Sequence, residues 1–231
     1  MGKTLIIFDI DGTLLYSNKI DSQCFADTYQ KIYKRNFPTI DWSKYPHVTD
    51  HVIFRTVIQD QFNRIPPSNE ISDFQQAFAA SILEKRKTAP HEFQEVPNAV
   101  NTINYLLNHE DYVVGIGTGG WHLPATIKLE HLGFKLDQIM ISGADDKNSR
   151  EEIIQVVLDE AQENHTIKRT TYIGDAPWDV QTTRNMNINF VGIRRKGDHE
   201  ALLKMGATHV LSSYENQAQF LAAVNQAKPP K

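Results

Sequence analysis

The sequence has little cysteine, no excess of basic charge and no long apolar run. Its single cysteine, Cys24, cannot form an internal disulfide, which fits a reducing compartment. With 24 basic and 28 acidic residues the formal net charge is −4, so no global positive field would hold a nucleic-acid backbone. The apolar run Leu5 to Phe8 stops at Asp9, far short of the roughly 18 residues that span a membrane. We expect a cytoplasmic protein that binds neither nucleic acid nor membrane.

Two kinds of segment divide the chain of 231 residues. Apolar positions recur at helical spacing over residues 22–35, 50–61 and 71–87, with proline breaks between them and no strand pattern from Ser17 to Ala89. From Pro90 onward, short β-branched runs alternate with helical stretches. The predicted strands are residues 4–9, 112–116, 139–142, 170–173, 190–193 and 208–211. Alternation of this kind predicts an α/β core with a doubly wound, mainly parallel sheet, interrupted after its first strand by a helical module.

The first strand delivers the segment Asp9-Ile10-Asp11-Gly12-Thr13 to the carboxyl edge of the sheet, where ligands gather in such folds. A favoured Asp-Gly turn explains Asp11 and Gly12 but not Asp9. An ionised carboxylate at the end of a buried strand is costly unless a cation meets it. Asp9 is therefore a candidate functional residue.

A glycine-rich segment, Gly115 to Gly120, follows the second core strand. Gly115, Gly117 and Gly120 match the spacing of a dinucleotide-binding turn, which a nucleotide-binding module would use. Alternatively, the Thr118 hydroxyl and neighbouring backbone amides bind an oxyanion at a helix N-terminus. Both interpretations involve phosphate.

A second acidic motif, Gly174-Asp175 with Asp179 one helical turn later, follows another strand. Asp175 could simply be a helix N-cap. If Asp9, Asp11 and Asp175 lie at neighbouring strand ends, however, they repel one another without a cation. A set of hard oxygen ligands without thiolates suits Mg²⁺.

A possible cationic partner lies around Ser149 and Glu152, whose spacing predicts a capping box and a helix beginning near Arg150. Lys147 precedes that cap and Arg150 follows it. Either side chain could reach the carboxylates and a phosphate, and the residues alone leave the choice open.

These motifs in this order resemble the haloacid dehalogenase superfamily, in its helical-cap branch of phosphatases and phosphomutases. The resemblance covers the whole chain and implies a Rossmann-like core domain of residues 1–16 and 90–231, with an inserted cap domain of residues 17–89. It implies an enzyme that hydrolyses a small-molecule phosphomonoester and uses Mg²⁺. Because related dehalogenases usually lack an aspartate at the position of Asp11, phosphoryl transfer is favoured. A sugar-phosphate phosphomutase of the same fold is the alternative.

The resemblance also implies a role for each motif residue. Asp9 would be the nucleophile that becomes an aspartyl phosphate, and Asp11 the general acid and base. Thr118, the Gly119 amide and either Lys147 or Arg150 would bind the phosphate. The metal would be held by Asp9, Asp175 and the Asp11 carbonyl, with Asp179 supporting them. In the cap, Thr49 and Asp50 are candidates for substrate contact, although Asp50 by itself is more typical of a helix N-cap.

Overall fold

The computed structural model describes residues 2–231 as an α/β protein. Its strands are β1 (Lys3–Phe8), β2 (Leu15–Tyr16), β3 (Gln94–Glu95), β4 (Tyr112–Gly117), β5 (Met140–Ser142), β6 (Ile167–Gly174), β7 (Asn189–Ile193) and β8 (Val210–Leu211). Its α-helices are α1 (Asn18–Tyr33), α2 (Asp50–Phe62), α3 (Ser68–Thr88), α4 (Ala99–Leu107), α5 (His122–His131), α6 (Arg150–Asn164), α7 (Pro177–Asn185), α8 (Glu200–Lys204) and α9 (Gln217–Gln226).

Six of these strands form one parallel sheet in the order β5-β4-β1-β6-β7-β8. Apolar side chains of α4, α5 and α9 pack on one face of the sheet, and those of α6, α7 and α8 pack on the other. The predicted doubly wound α/β fold is confirmed. Since β1 and β6 are adjacent in the middle of the sheet, the residues that follow them meet at its carboxyl edge.

Strand β1 is buried on both faces, which explains its unbroken apolar run. Ile6 and Phe8 point to the α4, α5 and α9 side, whereas Leu5 and Ile7 point to the α6 side, and all four are fully buried. The strand ends at Phe8, so Asp9 is the first residue beyond it. Both acidic residues of the first motif therefore lie in the loop rather than in the strand.

The helical module lies between β2 and β3, an antiparallel pair in which Leu15 opposes Glu95. Helices α1 and α3 begin earlier than predicted, at Asn18 and Ser68, because their first turns are mostly polar and give no apolar periodicity. Within residues 17–89 the described structure contains no strand, as expected. The division into a core domain and a cap domain stays a prediction.

The module contacts the core through an aromatic cluster around Trp121, a residue of the loop between β4 and α5. The indole is fully buried and stacks on Phe25 of α1 at 5.7 Å between ring centroids. Phe54, Phe74 and Phe78 surround it at 5.8–6.2 Å. Because this tryptophan directly follows the glycine-rich loop, packing of the module also holds that loop in place.

Among the described residues, no helix is both long and apolar enough to cross a membrane.

Candidate active site

The first acidic motif places two carboxylates at the carboxyl edge of the sheet. The Asp9 amide donates to the Ile173 carbonyl at 2.9 Å, which ties this residue to the end of β6. Asp9 is 5% exposed, and burial raises its pKa to about 7 against the opposing effect of Arg150. The Asp11 carboxylate is more exposed and accepts a 2.5 Å hydrogen bond from the Ser17 hydroxyl.

Gly12 has a structural reason to be glycine. Its φ of +80° lies in the left-handed region, and a Cβ at this position would collide with the Asp175 carboxylate. The Asp-Gly turn therefore does more than reverse the chain, because it lets the first acidic motif approach the second.

The second acidic motif lies at the neighbouring strand end. Helix α7 begins at Pro177, and its N-cap residue is Ala176. The alternative that Asp175 is a helix N-cap is therefore wrong. Asp179 is fully buried, and its Oδ2 accepts from the Ala176 amide at 3.0 Å. Burial, followed by the charges of Asp179 and Asp9, raises the pKa of Asp175 well above its ordinary value.

Asp9, Asp175 and Asp179 form a carboxylate cluster in which one oxygen from each lies within 4.8 Å of the others. Burial raises the pKa of Asp179 as well, even though Arg150 opposes that shift. Three hard oxygen donors that repel one another at this distance fit a divalent cation.

Arg150 is the cation that the structure brings to this cluster. It is the first residue of α6 and is 6% exposed, and Ser149 caps the helix by accepting from the Glu152 amide at 3.2 Å. Its Nη2 lies 2.8 Å from Asp179 Oδ1 and 3.3 Å from Asp9 Oδ1. The same nitrogen donates to the Tyr172 hydroxyl at 2.9 Å. The guanidinium thus lies between the two acidic motifs.

Lys147 does not reach the carboxylate cluster. Its ammonium pairs with the neighbouring Asp146, and its side chain is 25% exposed. The residues alone could not choose between Lys147 and Arg150. The geometry favours Arg150, because only that side chain contacts Asp9.

Thr118 and Gly119 begin the loop after β4. The Thr118 amide donates to the Ser142 carbonyl at 3.1 Å, and its hydroxyl accepts from the Gly120 amide at 3.2 Å. At Gly119 a Cβ would collide with the Arg150 guanidinium, so a side chain there would displace the cation. Both residues line the same cavity as Asp9 and Arg150.

The glycine spacing does not form a dinucleotide-binding turn. Gly115 and Gly117 lie inside β4, paired with Met140 and Ser142 of β5. A pyrophosphate needs the first glycines in the turn itself, where the backbone can approach the ligand. The structure therefore argues against a nucleotide-binding module built on this segment.

A cavity of about 400 Å³ joins these residues. The core contributes the two acidic motifs, the loop after β4 and Arg150. The helical module contributes apolar and polar side chains, which are Asn18, Lys19, Asp21, Ser22, Ile40, Trp42, Val48, Asp50 and Ile53. This volume falls in the range of small-molecule sites.

A sequence model described as haloacid dehalogenase-like hydrolase matches residues 6–193. The chain belongs to this family. The match covers the first acidic motif, the helical module, Arg150 and the second acidic motif. No curated protein sequence matches the chain.

Solved structures show the same fold over nearly the whole length. A hydrolase from Pseudomonas syringae superposes with a TM-score of 0.72 at 20% identity, covering 97% of this chain and 99% of that one. CbbY from Rhodobacter sphaeroides, solved in complex with phosphate, gives 0.69 at 14% identity, with 94% and 96% covered. A beta-phosphoglucomutase candidate from Bacteroides vulgatus gives 0.66 at 16% identity, with 97% and 91% covered. At these identities the likeness establishes the fold alone.

Thr49 and Asp50 occupy different positions in this haloacid dehalogenase-like hydrolase. Thr49 is the fully buried N-cap of α2, and its hydroxyl accepts from the Val52 amide at 3.4 Å. Asp50 lines the cavity, and its amide donates to the Gly119 carbonyl at 2.8 Å while its carboxylate accepts from the Trp121 amide at 3.0 Å. Asp50 therefore joins the helical module to the loop after β4 through two hydrogen bonds, whereas Thr49 caps the start of α2.

Thr49→Ala is expected to lower the free energy of unfolding by about 1 kcal/mol, because α2 loses its N-cap acceptor. Denaturant unfolding of the variant, beside the wild type and Thr49→Ser, would measure this. The serine variant keeps the hydroxyl and should retain most of the stability. Unchanged stability with a raised KM would instead assign Thr49 to substrate binding.

Sequence reasoning missed a second buried cation, Lys128 of α5. Its Nζ lies 2.5 Å from Asp11 Oδ2 and 2.7 Å from Asp21 Oδ1, and the side chain is 2% exposed. Burial by itself would lower the pKa of Lys128, but the two carboxylates raise it above its ordinary value. A signal was present, since Lys128 follows Trp121 and Ala125 on an otherwise apolar helix stripe.

Proposed function

We propose that this protein is a Mg²⁺-dependent phosphatase that hydrolyses a small-molecule phosphomonoester through an aspartyl phosphate on Asp9. One observation carries the proposal. The buried Asp9 carboxylate opens onto a cavity beside Asp11, with Arg150 3.3 Å away and the Asp175 and Asp179 carboxylates within 4.8 Å. Nucleophile, proton-transfer group and fixed cation are thus gathered at one edge of the sheet.

Asp9 attacks phosphorus, so that the Asp9–phosphorus bond forms as the bond to the leaving alcohol breaks. Water then cleaves the aspartyl phosphate and releases inorganic phosphate, which divides one difficult displacement into two easier ones. Asp11 protonates the leaving oxygen in the first step and takes a proton from water in the second. Its place in the same cavity, two residues from Asp9, supports this role.

Arg150, Thr118 and the Gly119 amide are proposed to bind the phosphate oxygens. The guanidinium is held by Asp179 and Tyr172, so its charge is positioned before substrate arrives. Fixed donors of this kind stabilise the charge that develops on the transferring group without having to reorganise. Lys147 is assigned no part in this step, because it pairs with Asp146.

Asp9, Asp175 and the Asp11 carbonyl would hold Mg²⁺. Asp179 is near enough to act as a further ligand or to keep the other ligands in position. The three clustered carboxylates and the raised pKa values of Asp9 and Asp175 favour a bound cation. When bound, the ion neutralises charge between the nucleophile and the phosphate.

The helical module, residues 17–89, is proposed to act as a cap domain on a core of residues 1–16 and 90–231. It supplies the apolar part of the cavity wall, including Trp42 and Ile53, while the core supplies Asp9, Asp11 and Arg150. A cap whose side chains form part of the cavity wall selects the leaving group and limits access of water. The substrate class that fits is a small metabolite ester rather than a macromolecule.

The proposal is tested by measuring phosphate release from a panel of phosphomonoesters with the purified full chain. Release from at least one ester supports a phosphatase. A sugar phosphate that is isomerised without net phosphate release, in the presence of a trace of sugar bisphosphate, would assign the protein to the phosphomutases. A folded protein that does neither would contradict both.

Removing divalent metal with a chelator is expected to lower phosphate release by about 10²-fold or more, because several kcal/mol of charge stabilisation are lost. Added Mg²⁺ should restore it. Circular dichroism before and after chelation provides the control for folding. Full activity in the chelated protein would rule out the metal part of the proposal.

A further inference from the structure

The Lys128 ammonium lies between a carboxylate of the core and one of the helical module. Asp11 belongs to the loop after β1, and Asp21 to the first turn of α1. The distances to them are 2.5 Å and 2.7 Å, and the ammonium is buried with a side-chain exposure of 2%. A lysine in this setting is held in one place by two charges from two parts of the chain.

Asp11 is in turn held at both of its oxygens. Oδ2 accepts from Lys128 and Oδ1 accepts from the Ser17 hydroxyl, each at 2.5 Å. A carboxylate with one donor on each oxygen cannot rotate without breaking a hydrogen bond. Its orientation toward the cavity is therefore set before substrate arrives, which is what an efficient proton-transfer group requires.

We propose that Lys128 is a positioning residue for Asp11, anchored by Asp21 of the helical module. Lys128 acts through the orientation of the Asp11 carboxylate and does not contact the phosphate, which is bound by other groups. Docking of the module brings Asp21 to Lys128, so the module contributes to the alignment of Asp11 as well as to the cavity wall. This inference rests on the proposed function, since it assumes that Asp11 transfers the proton.

The geometry distinguishes this role from that of Arg150. Arg150 contacts Asp9 and Asp179. Lys128 contacts Asp11 and Asp21. The two buried cations therefore form ion pairs with different carboxylates. Lys128 is also absent from the cavity wall formed by the described residues. Loss of Lys128 should therefore affect turnover more than substrate binding.

Lys128→Met keeps an unbranched side chain only one atom shorter and removes its charge. With the alkyl phosphate of the panel that the wild type cleaves fastest and the Mg²⁺-loaded full chain, kcat is expected to fall by about 10²-fold, the lower end of a general acid–base contribution, while KM stays nearly unchanged. The decisive measurement combines this change with Asp11→Asn. If Lys128 acts through Asp11, Lys128→Met causes almost no further loss of kcat in the Asp11→Asn background.

Multiplicative losses in the double variant would overturn the proposal, as would a folded Lys128→Met protein with wild-type kcat. Should Lys128→Met fail to fold, Asp21→Asn tests the same link while retaining the lysine. It is expected to lower kcat several-fold and again to be non-additive with Asp11→Asn, and additive losses would count against the inference. Asp27→Asn, on the exposed face of α1, is the matched control and should match the wild type.

The same assay separates the two proposals. If the wild type releases phosphate but the variants show independent effects, the phosphatase proposal is supported and the proposed role of Lys128 is contradicted. If the wild type neither releases phosphate from any ester nor isomerises a sugar phosphate, both proposals are contradicted.

Discussion

Replacing Asp9 by asparagine is expected to reduce phosphate release by at least about 10⁴-fold, the scale observed when one member of a catalytic unit is removed. The amide has nearly the same volume as the carboxylate but is a poor nucleophile, and it withdraws one charged ligand from the proposed metal site. Steady-state phosphate release with the best ester of the panel measures the loss. The aspartyl phosphate should also disappear from acid-quenched protein.

The fold should survive this change. Burial already disfavours the charged form of Asp9 and raises its pKa to about 7, so a neutral amide fits the site without an added desolvation cost. The midpoint of thermal unfolding is therefore not expected to fall. Asp137→Asn, an exposed substitution of the same kind, is the control. Retention of even a tenth of the wild-type rate by folded Asp9→Asn would exclude Asp9 as the nucleophile.

Arg150→Ala is expected to have the second largest effect, on both stability and turnover. It leaves the buried Asp9 and Asp179 carboxylates without their cation, which typically costs about 3–5 kcal/mol of folding free energy. It also removes a fixed positive charge from the phosphate site, at a cost of about 10²–10³ in kcat. Denaturant unfolding and phosphate release would measure the two effects separately.

Lys147→Ala is the matched control for this prediction. Lys147 precedes the same helix but pairs with Asp146 at the surface, so its removal should leave stability and kcat close to the wild-type values. The reverse outcome, an active Arg150→Ala protein and an inactive Lys147→Ala protein, would transfer the proposed phosphate-binding role to the lysine. Such a result would also require a different orientation of the loop before α6.

The acidic motifs could be predicted from the sequence because they depend on residues that are adjacent in the chain. An ionised carboxylate directly after a buried apolar strand, as at Asp9, is unfavourable in free energy unless a cation pairs with it. Asp9 could therefore be predicted as a functional residue from its position alone. The capping box of Ser149 and Glu152 predicted the start of α6, because a cap depends on residues only three apart. Helix α1 was predicted too short, since its first turn carries no apolar pattern.

Contacts between residues far apart in the sequence could not be predicted from adjacent residues. Gly115 and Gly117 match a dinucleotide fingerprint, yet both lie within β4 because the strand continues to Gly117. Lys147 and Arg150 are equivalent in the sequence, and only the direction of the first turn of α6 separates them. Lys128 is 117 residues from Asp11, so nothing local to either residue indicates their pairing.

The sequence by itself determined the six strands of the main sheet, their parallel arrangement and the acidic residues at the carboxyl edge, because each depends on periodicity or on residues close together in the chain. The short pair β2 and β3 was not predicted. The tertiary structure alone decided which buried cation serves which carboxylate, and how Trp121 and Asp50 fasten the helical module over the cavity. Those contacts depend on burial and on the packing of elements far apart in sequence. An ion pair such as Lys128 with Asp11 and Asp21 forms only when folding brings its charges together away from water.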